Sequence, residues 1–276
     1  MAGRAKEIAN NLLERALQRD QFDADMHDNK LLYSVFGFIA ATDFTDNAIL
    51  LSNLGYVLAQ QDFNVCLLDL KVFYPNLYLY LDVAQNTRGT GLLKVLKDDK
   101  ADLKEEIKPT KYPNLYLLSA SPQDLMEEYF DFSIDKISGT IETLKKHFDI
   151  ILIDIPNNPP LEFCLGAMKQ SHTGFFSASE RIDAISNITR LLDFADSLGI
   201  SAAKFANIIF MNLQDIKYDF SMIKKMRLNV VAGLPLVKGA AADALEGKLY
   251  IKDNTLVNGL YKKELVKVVN MITEQN

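Results

Sequence analysis

Apolar residues fall along the chain in alternating strand and helix rhythms. Val35–Ala41 is a continuous apolar run, and Ala48–Gln60 places Ile49, Leu50, Asn53, Leu54, Val57 and Leu58 on one helical face. Val65–Leu70 is apolar again, with Asp69 near its end. Strand, turn, helix and strand make a βαβ unit. In the aromatic stretch Val72–Val83, Pro75 and Asn76 predict a turn before a short helix or extended piece. Gly89-Thr90-Gly91 opens a short helix at Leu92–Leu96, and the charged segment Lys97–Lys111 reads as exposed. Leu115–Leu118 predicts a strand, Leu125–Tyr129 a short helix, and Ile134–Lys146 an amphipathic helix. Phe148–Asp154 is apolar without alternation, as a central parallel strand covered on both faces requires.

The second half repeats the pattern. It predicts a helix at Leu161–Lys169, a strand at Gly174–Phe176 and a long helix at Glu180–Leu198. That helix sets Ile182, Ile185, Ile188, Leu191, Leu192 and Phe194 at apolar positions, with Gly199 as its C-cap. Strands follow at Asn207–Met211 and Val230–Leu234, and helices at Tyr218–Met226, Asp243–Gly247 and Asn258–Ile272. Upstream, Ile8, Leu12, Leu13, Ala16 and Leu17 predict a helix within residues 2–19, joined by the polar link Gln21–Asn29. The economical architecture is α/β: one doubly wound, mostly parallel sheet with helices on both faces. The expected organisation is an N-terminal helix and link over residues 1–29 and a single α/β domain over residues 30–276.

Composition narrows the classes. The chain is 49% hydrophobic, enough for one large core, and its formal net charge of -6 disfavours a uniformly basic nucleic-acid binder. Cys66 and Cys164 stand in apolar sequence without metal-ligand spacing and read as buried free thiols of a reducing compartment. No apolar run is long enough to span a membrane and no signal-peptide core is present, so the expected location is the cytoplasm. His27, His147 and His172 are too far apart in sequence to form a metal motif and read as incidental.

The ordered motifs resemble the MinD/ParA family of dimeric P-loop ATPases, the SIMIBI class, from Leu31 to Ile272. Asn53-Leu54 and Leu58-Ala59 match the family's first helix, Val65–Asp69 its next strand, and Asn76-Leu77 with Leu79 and Leu81 the following segment. Pro113–Leu118 is similar to a further strand, and His147–Pro156 resembles the Walker B-like strand with its Asp-x-Pro end. Asn212 falls where the family carries an asparagine facing the base, and Leu234-Pro235 where an Ile-Pro pair follows a strand.

Departures concentrate where the family does chemistry. The resemblance sets the phosphate loop on Thr42, Asp43, Phe44, Thr45, Asp46, Asn47, Ala48 and Ile49, and every glycine is gone. Asn47 replaces the lysine that contacts the β/γ-phosphates, Thr42 the signature lysine that crosses the dimer, Ala48 the threonine that holds magnesium, and Lys71 the aspartate that orients water. Asp69 and Asp154 remain. A β-carbon at Phe44 obstructs close backbone approach, and Asp43 and Asp46 put carboxylates where a polyphosphate would sit. The loop is thus a degenerate Walker A, and a pseudo-ATPase is expected. No cofactor is expected, with room for weak ATP or ADP binding through Asn212 and Pro235. For Asp69 and Asp154 the functional reading is a residual metal or water network, and the plainer one is capping of nearby backbone. Lys71 is expected to pair with Asp69 or Asp154 in place of the metal.

Other candidates are surfaces. Phe73, Tyr74, Tyr78 and Tyr80 form a candidate interface, since tyrosines bury area while keeping a polar handle. Lys217, Lys224, Lys225 and Arg227 form a candidate basic patch. The C-terminal helix sits where some relatives bind membrane; packing on the sheet is the plainer reading, and direct membrane binding is not expected. The leading expectation is a non-catalytic scaffold or positioning protein that binds a protein partner, as a homo- or heterodimer, in a pilus, secretion, envelope or partition system. That partner could be an active paralogue or a component of a membrane-associated machine that recruits the protein. Rival readings are a nucleotide- or metal-binding sensor or enzyme with a site rebuilt from Asp43, Asp46, Asp69 and Asp154, and a DNA-associated adaptor using the basic patch.

Overall fold

The computed structural model describes residues 33–43, 45, 47–213, 228–252 and 256–274. The predicted N-terminal helix and the Tyr218–Met226 helix lie outside these residues.

The apolar runs become parallel strands: β1 (Val35–Ala40), β2 (Val65–Asp69), β4 (Leu115–Ser119), β5 (Ile150–Ile155), β6 (Thr173–Ala178), β7 (Asn207–Met211) and β8 (Asn229–Leu234). A two-residue strand, β3 (Lys108–Pro109), adds antiparallel at the β4 edge. The sheet order is β3-β4-β2-β5-β1-β6-β7-β8. β5 lies between β2 and β1, as its unbroken apolar sequence requires. Sequence order reverses around β1, and open α/β sheets bind ligands at the carboxyl ends of strands beside such a switch point.

Helices cover both faces. On one, α1 (Asn47–Ala59) and the C-terminal helix pack over Phe36, Phe38, Leu67, Leu152 and Phe175. The rings of Phe38 and Phe175 stack at 4.9 Å across β1 and β6. The opposite face carries α5 (Ile134–Leu144), α6 (Leu161–Gln170) and α7 (Ala184–Ser197) over Val35, Ile39, Leu68, Ile151, Ile153 and Ile155. Gly174 and Gly37 are required here: a β-carbon on Gly174 would lie 2.0 Å from the Phe205 ring, and one on Gly37 2.6 Å from Ile155. Between them are α2 (Leu77–Leu81), α3 (Leu92–Lys97) and α4 (Leu103–Glu106), then α8 (Ala240–Leu245) and α9 (Leu256–Thr273) near the end. Tyr261, Leu265, Val268, Val269 and Ile272 of α9 are buried, so its apolar stripe faces the sheet.

Three expectations need correction. Lys97–Lys111 is not simply exposed: Leu103 and Ile107 enter the core, and buried Glu106 accepts the Gly91 N–H at 2.6 Å while pairing with Lys94 at 2.8 Å. The long helix begins at Ala184, not Glu180, so Ile182 precedes it and is 98% exposed. His172 is not incidental: Nδ1 accepts the N–H groups of Ser34 at 2.9 Å and Val35 at 3.1 Å, satisfying the donors where β1 begins. Burial, then Lys145 and Lys204, lower its pKa from 6.5 to about 4.

Candidate functional site: the carboxyl edge of β1, β2 and β5

Register builds the site. Asp69 and Asp154 are directly opposed on β2 and β5, and Phe38 of β1 opposes Asp154 from the other side. Strand alternation turns Asp69 and Asp154 toward the α1 face, where both are buried. Asn47, at the start of α1, donates from Nδ2 to Asp154 Oδ1 at 3.2 Å and to the Phe38 carbonyl at 3.3 Å. Lys71 Nζ lies 2.9 Å from Asp154 Oδ2. Both carboxylate oxygens of Asp154 are therefore engaged by side chains, Oδ1 by Asn47 and Oδ2 by Lys71.

Asp69 is used differently. Its Oδ1 accepts the Lys71 N–H at 3.0 Å, and its Oδ2 accepts the N–H groups of Asn76 at 3.1 Å and Leu77 at 3.2 Å, satisfying donors where α2 begins. Burial first, and the charge of Asp154 second, push its pKa up; Lys71 and the backbone N–H groups oppose that rise. Capping describes Asp69, whereas Asp154 is held by side chains.

The described residues of the segment after β1 are tied down. Thr42 and Thr45 are buried with their hydroxyls 3.1 Å apart, and the Thr45 N–H donates to the Thr42 carbonyl at 3.1 Å. Asn157 Nδ2 donates to the Ala40 carbonyl at 2.9 Å and Asn187 Nδ2 to the Ala41 carbonyl at 3.0 Å. Asp43 is exposed; Phe44 and Asp46 lie outside the described residues. Two clefts flank the loop. One, of about 500 Å³, includes Thr45, Lys71, Phe73, Tyr74 and Asn76. The other, of about 630 Å³, includes Leu161, Asn187, Arg190, Leu191 and Phe194. Thr42, Asp43, Asn157 and Asn158 line both. Sequence reasoning missed Asn157 and Asn187; Asn157, directly after the Asp-x-Pro end of β5, was the one with a positional signal.

Ala48 is fully buried among apolar side chains, and the Ile49 carbonyl accepts Asn53 Nδ2 at 2.6 Å. Asn53 Oδ1 accepts the Ile251 N–H at 2.8 Å, so this family-like asparagine ties α1 to the Tyr250–Lys252 turn. Asn212 does not point freely toward a base: its backbone N–H and its Nδ2 both reach the Leu234 carbonyl, each at 3.0 Å, linking β7 to the end of β8 beside Pro235. Tyr74 is 68% exposed, Phe73, Tyr78 and Tyr80 are half-buried, and Phe73 meets Phe130 edge to face at 5.5 Å. Tyr78 and Tyr80 line a separate groove with α8, so the four aromatic residues do not form one patch. Lys217, Lys224, Lys225 and Arg227 lie outside the described residues.

No protein-family model matches the chain. The septum site-determining protein MinD of Thermotoga maritima is 26% identical over 196 residues, spanning 67% of this chain and 68% of that protein. The MinD structure from Pyrococcus horikoshii, complexed with Mg-ADP, superposes with a TM-score of 0.72 at 19% identity, covering 88% of this chain and 98% of that one. The chain's fold is MinD/ParA-like. A ParA-family ATPase from Chlorobium tepidum also superposes with a TM-score of 0.72, at 18% identity, covering 87% and 98% of the two chains.

Within that MinD/ParA-like frame, the described side chains do not fit a magnesium nucleotide. Asn47 is engaged by Asp154, Ala48 has no hydroxyl, and the Lys71 ammonium stands against the carboxylate that a metal would need. Among the described residues no three His, Cys, Asp or Glu side chains converge on a metal position. Of the four acids in the rebuilt-site reading, Asp69 turns to the backbone, Asp154 to Lys71 and Asp43 to solvent, and Asp46 lies outside the described residues. Also among the described residues, no helix is long and apolar enough to cross a membrane.

Proposed function

We propose that this MinD/ParA-like chain is a non-hydrolysing scaffold or positioning protein that acts through protein contacts. The observation that carries the reading is the closed network Asn47–Asp154–Lys71: donors of the chain itself take the carboxylate that a magnesium-dependent site would need. Asn47 stands where the resemblance sets the phosphate-loop lysine, and losing one such transition-state contact typically costs about 3–4 kcal/mol. The carboxyl edge, with its pinned loop and two clefts, is the face offered to a protein partner, as a homodimer or a heterodimer with an active paralogue. A cytoplasmic protein recruited to a membrane-associated machine fits this reading, as does a role in a pilus, secretion, envelope or partition system. Phosphate release from ATP with magnesium tests it. Turnover no faster than the protein-free control is expected, and turnover abolished by Asp154→Ala would overturn it.

A further inference from the structure

Large apolar side chains gather on one edge outside the closed network. Phe130 is 55% exposed, Leu125 and Met126 are exposed in the same short segment, and exposed Tyr74 follows Phe73, whose ring touches Phe130. Exposed apolar clusters of this kind mark contact surfaces. The local charges are unbalanced. Lys97 and Arg88 share the single carboxylate of Glu128, which leaves one positive charge over, and Lys71 pairs with Asp154. Glu127 and Asp131, which bracket Phe130, carry no ion pair among the described residues, nor does Asp43 on the adjoining cleft. The surface therefore fits an apolar segment that carries positive charge.

The chain contains one. Residues 2–19 hold Arg4, Lys6, Arg15 and Arg19 against Glu7 and Glu14, with Ile8, Leu12, Leu13, Ala16 and Leu17 at helix spacing. Reach permits the contact. Residues 20–32 span at most about 43 Å when extended, whereas a strand of β1's length rises only about 20 Å from its amino to its carboxyl end. A second copy of the same patch would instead set Glu127 and Asp131 against their equivalents, which like-charge repulsion opposes.

We propose that residues 2–19 dock on the Phe130–Tyr74 patch of their own chain, with Glu127 and Asp131 facing their cations, so that the patch is covered until a competing partner displaces the segment. This goes beyond the scaffold reading and does not rest on the state of the nucleotide site.

Disulfide trapping in the full chain tests it. Cys66 and Cys164 are fully buried and their thiol pKa values are pushed up by burial, so they do not compete with introduced surface thiols. Under mild oxidation, Leu12→Cys with Phe130→Cys is expected to give a monomeric internal disulfide at least about tenfold faster than Leu12→Cys with Leu245→Cys, because docking raises the effective thiol concentration. Leu245 is the control because it is 88% exposed on α8 and lines the separate groove with Tyr78 and Tyr80. Tyr74→Cys in place of Phe130→Cys gives a second trapping position and should also beat the control. Adding Glu127→Lys and Asp131→Lys should bring the rate down to that of the control. Equal rates for the patch and control pairs, disulfides only between chains, or indifference to charge reversal would each overturn the proposal.

Discussion

Asp154 is the residue on which the site's chemistry turns. A carboxylate without exposure is tolerated only when its charge is compensated, and here Lys71 and Asn47 do this from opposite oxygens. Lys71→Ala leaves that charge without its ammonium, so stability in urea should fall by about 3 kcal/mol. Lys71→Met combined with Asp154→Leu removes both charges and should cost less than the single change; a double variant at least as unstable as Lys71→Ala would contradict ion-pair compensation. His172 gives a second prediction. Its folded pKa, about 4, lies below the ordinary 6.5, so the unfolded chain takes up the proton first as pH falls. The stabilisation is complete above pH 6.5 and is lost as pH drops toward 4, by about 2–3 kcal/mol. His172→Asn retains an acceptor that does not titrate, and denaturation midpoints measured across this window should flatten. The sequence made Lys71 legible because a cation stood where an acid was expected. His172 was not legible, because its partners are backbone N–H groups 137 and 138 residues away.

Elements were legible where one periodicity ran unbroken. Strands β1, β2, β5 and β7 and helices α1 and α5 follow their apolar patterns closely, since burial on both faces or along one stripe leaves a direct mark in sequence. The start of α7 was misread because Ile182 extends the apolar period by chance, and periodicity does not reveal exposure. The segment between α3 and β4 was misread because one buried acid, Glu106, is satisfied by partners on α3 and at its entry. Close packing also has a sequence cost that pattern alone hides: Gly174 lies beneath the Phe205 ring. Gly174→Ala should destabilise the fold by about 1–3 kcal/mol, and Gly174→Ala with Phe205→Leu should recover part of the loss in thermal unfolding.

At the scale of the whole molecule, the sheet is MinD/ParA-like, and the segment from Thr42 to Ile49 contains neither glycine nor lysine. The sheet order, the opposed Asp69 and Asp154, and the helices on both faces all follow from residues that serve the core as well as the site. The missing glycines and lysines were plain in sequence. The side-chain ties around that segment were less plain, because Asn47, Asn157 and Asn187 acquire their partners only through tertiary folding. On the scaffold reading, the frame should be stable without nucleotide and offer its carboxyl edge whether or not ATP is present. Calorimetric titration of the full chain with ATP and magnesium, paired with an independent direct-binding readout, tests this most directly. No saturable binding tighter than about 1 mM is the predicted result. Tight, saturable, magnesium-dependent binding lost in Asp154→Ala would contradict it and show that the loop from Thr42 to Ile49 is a working nucleotide site.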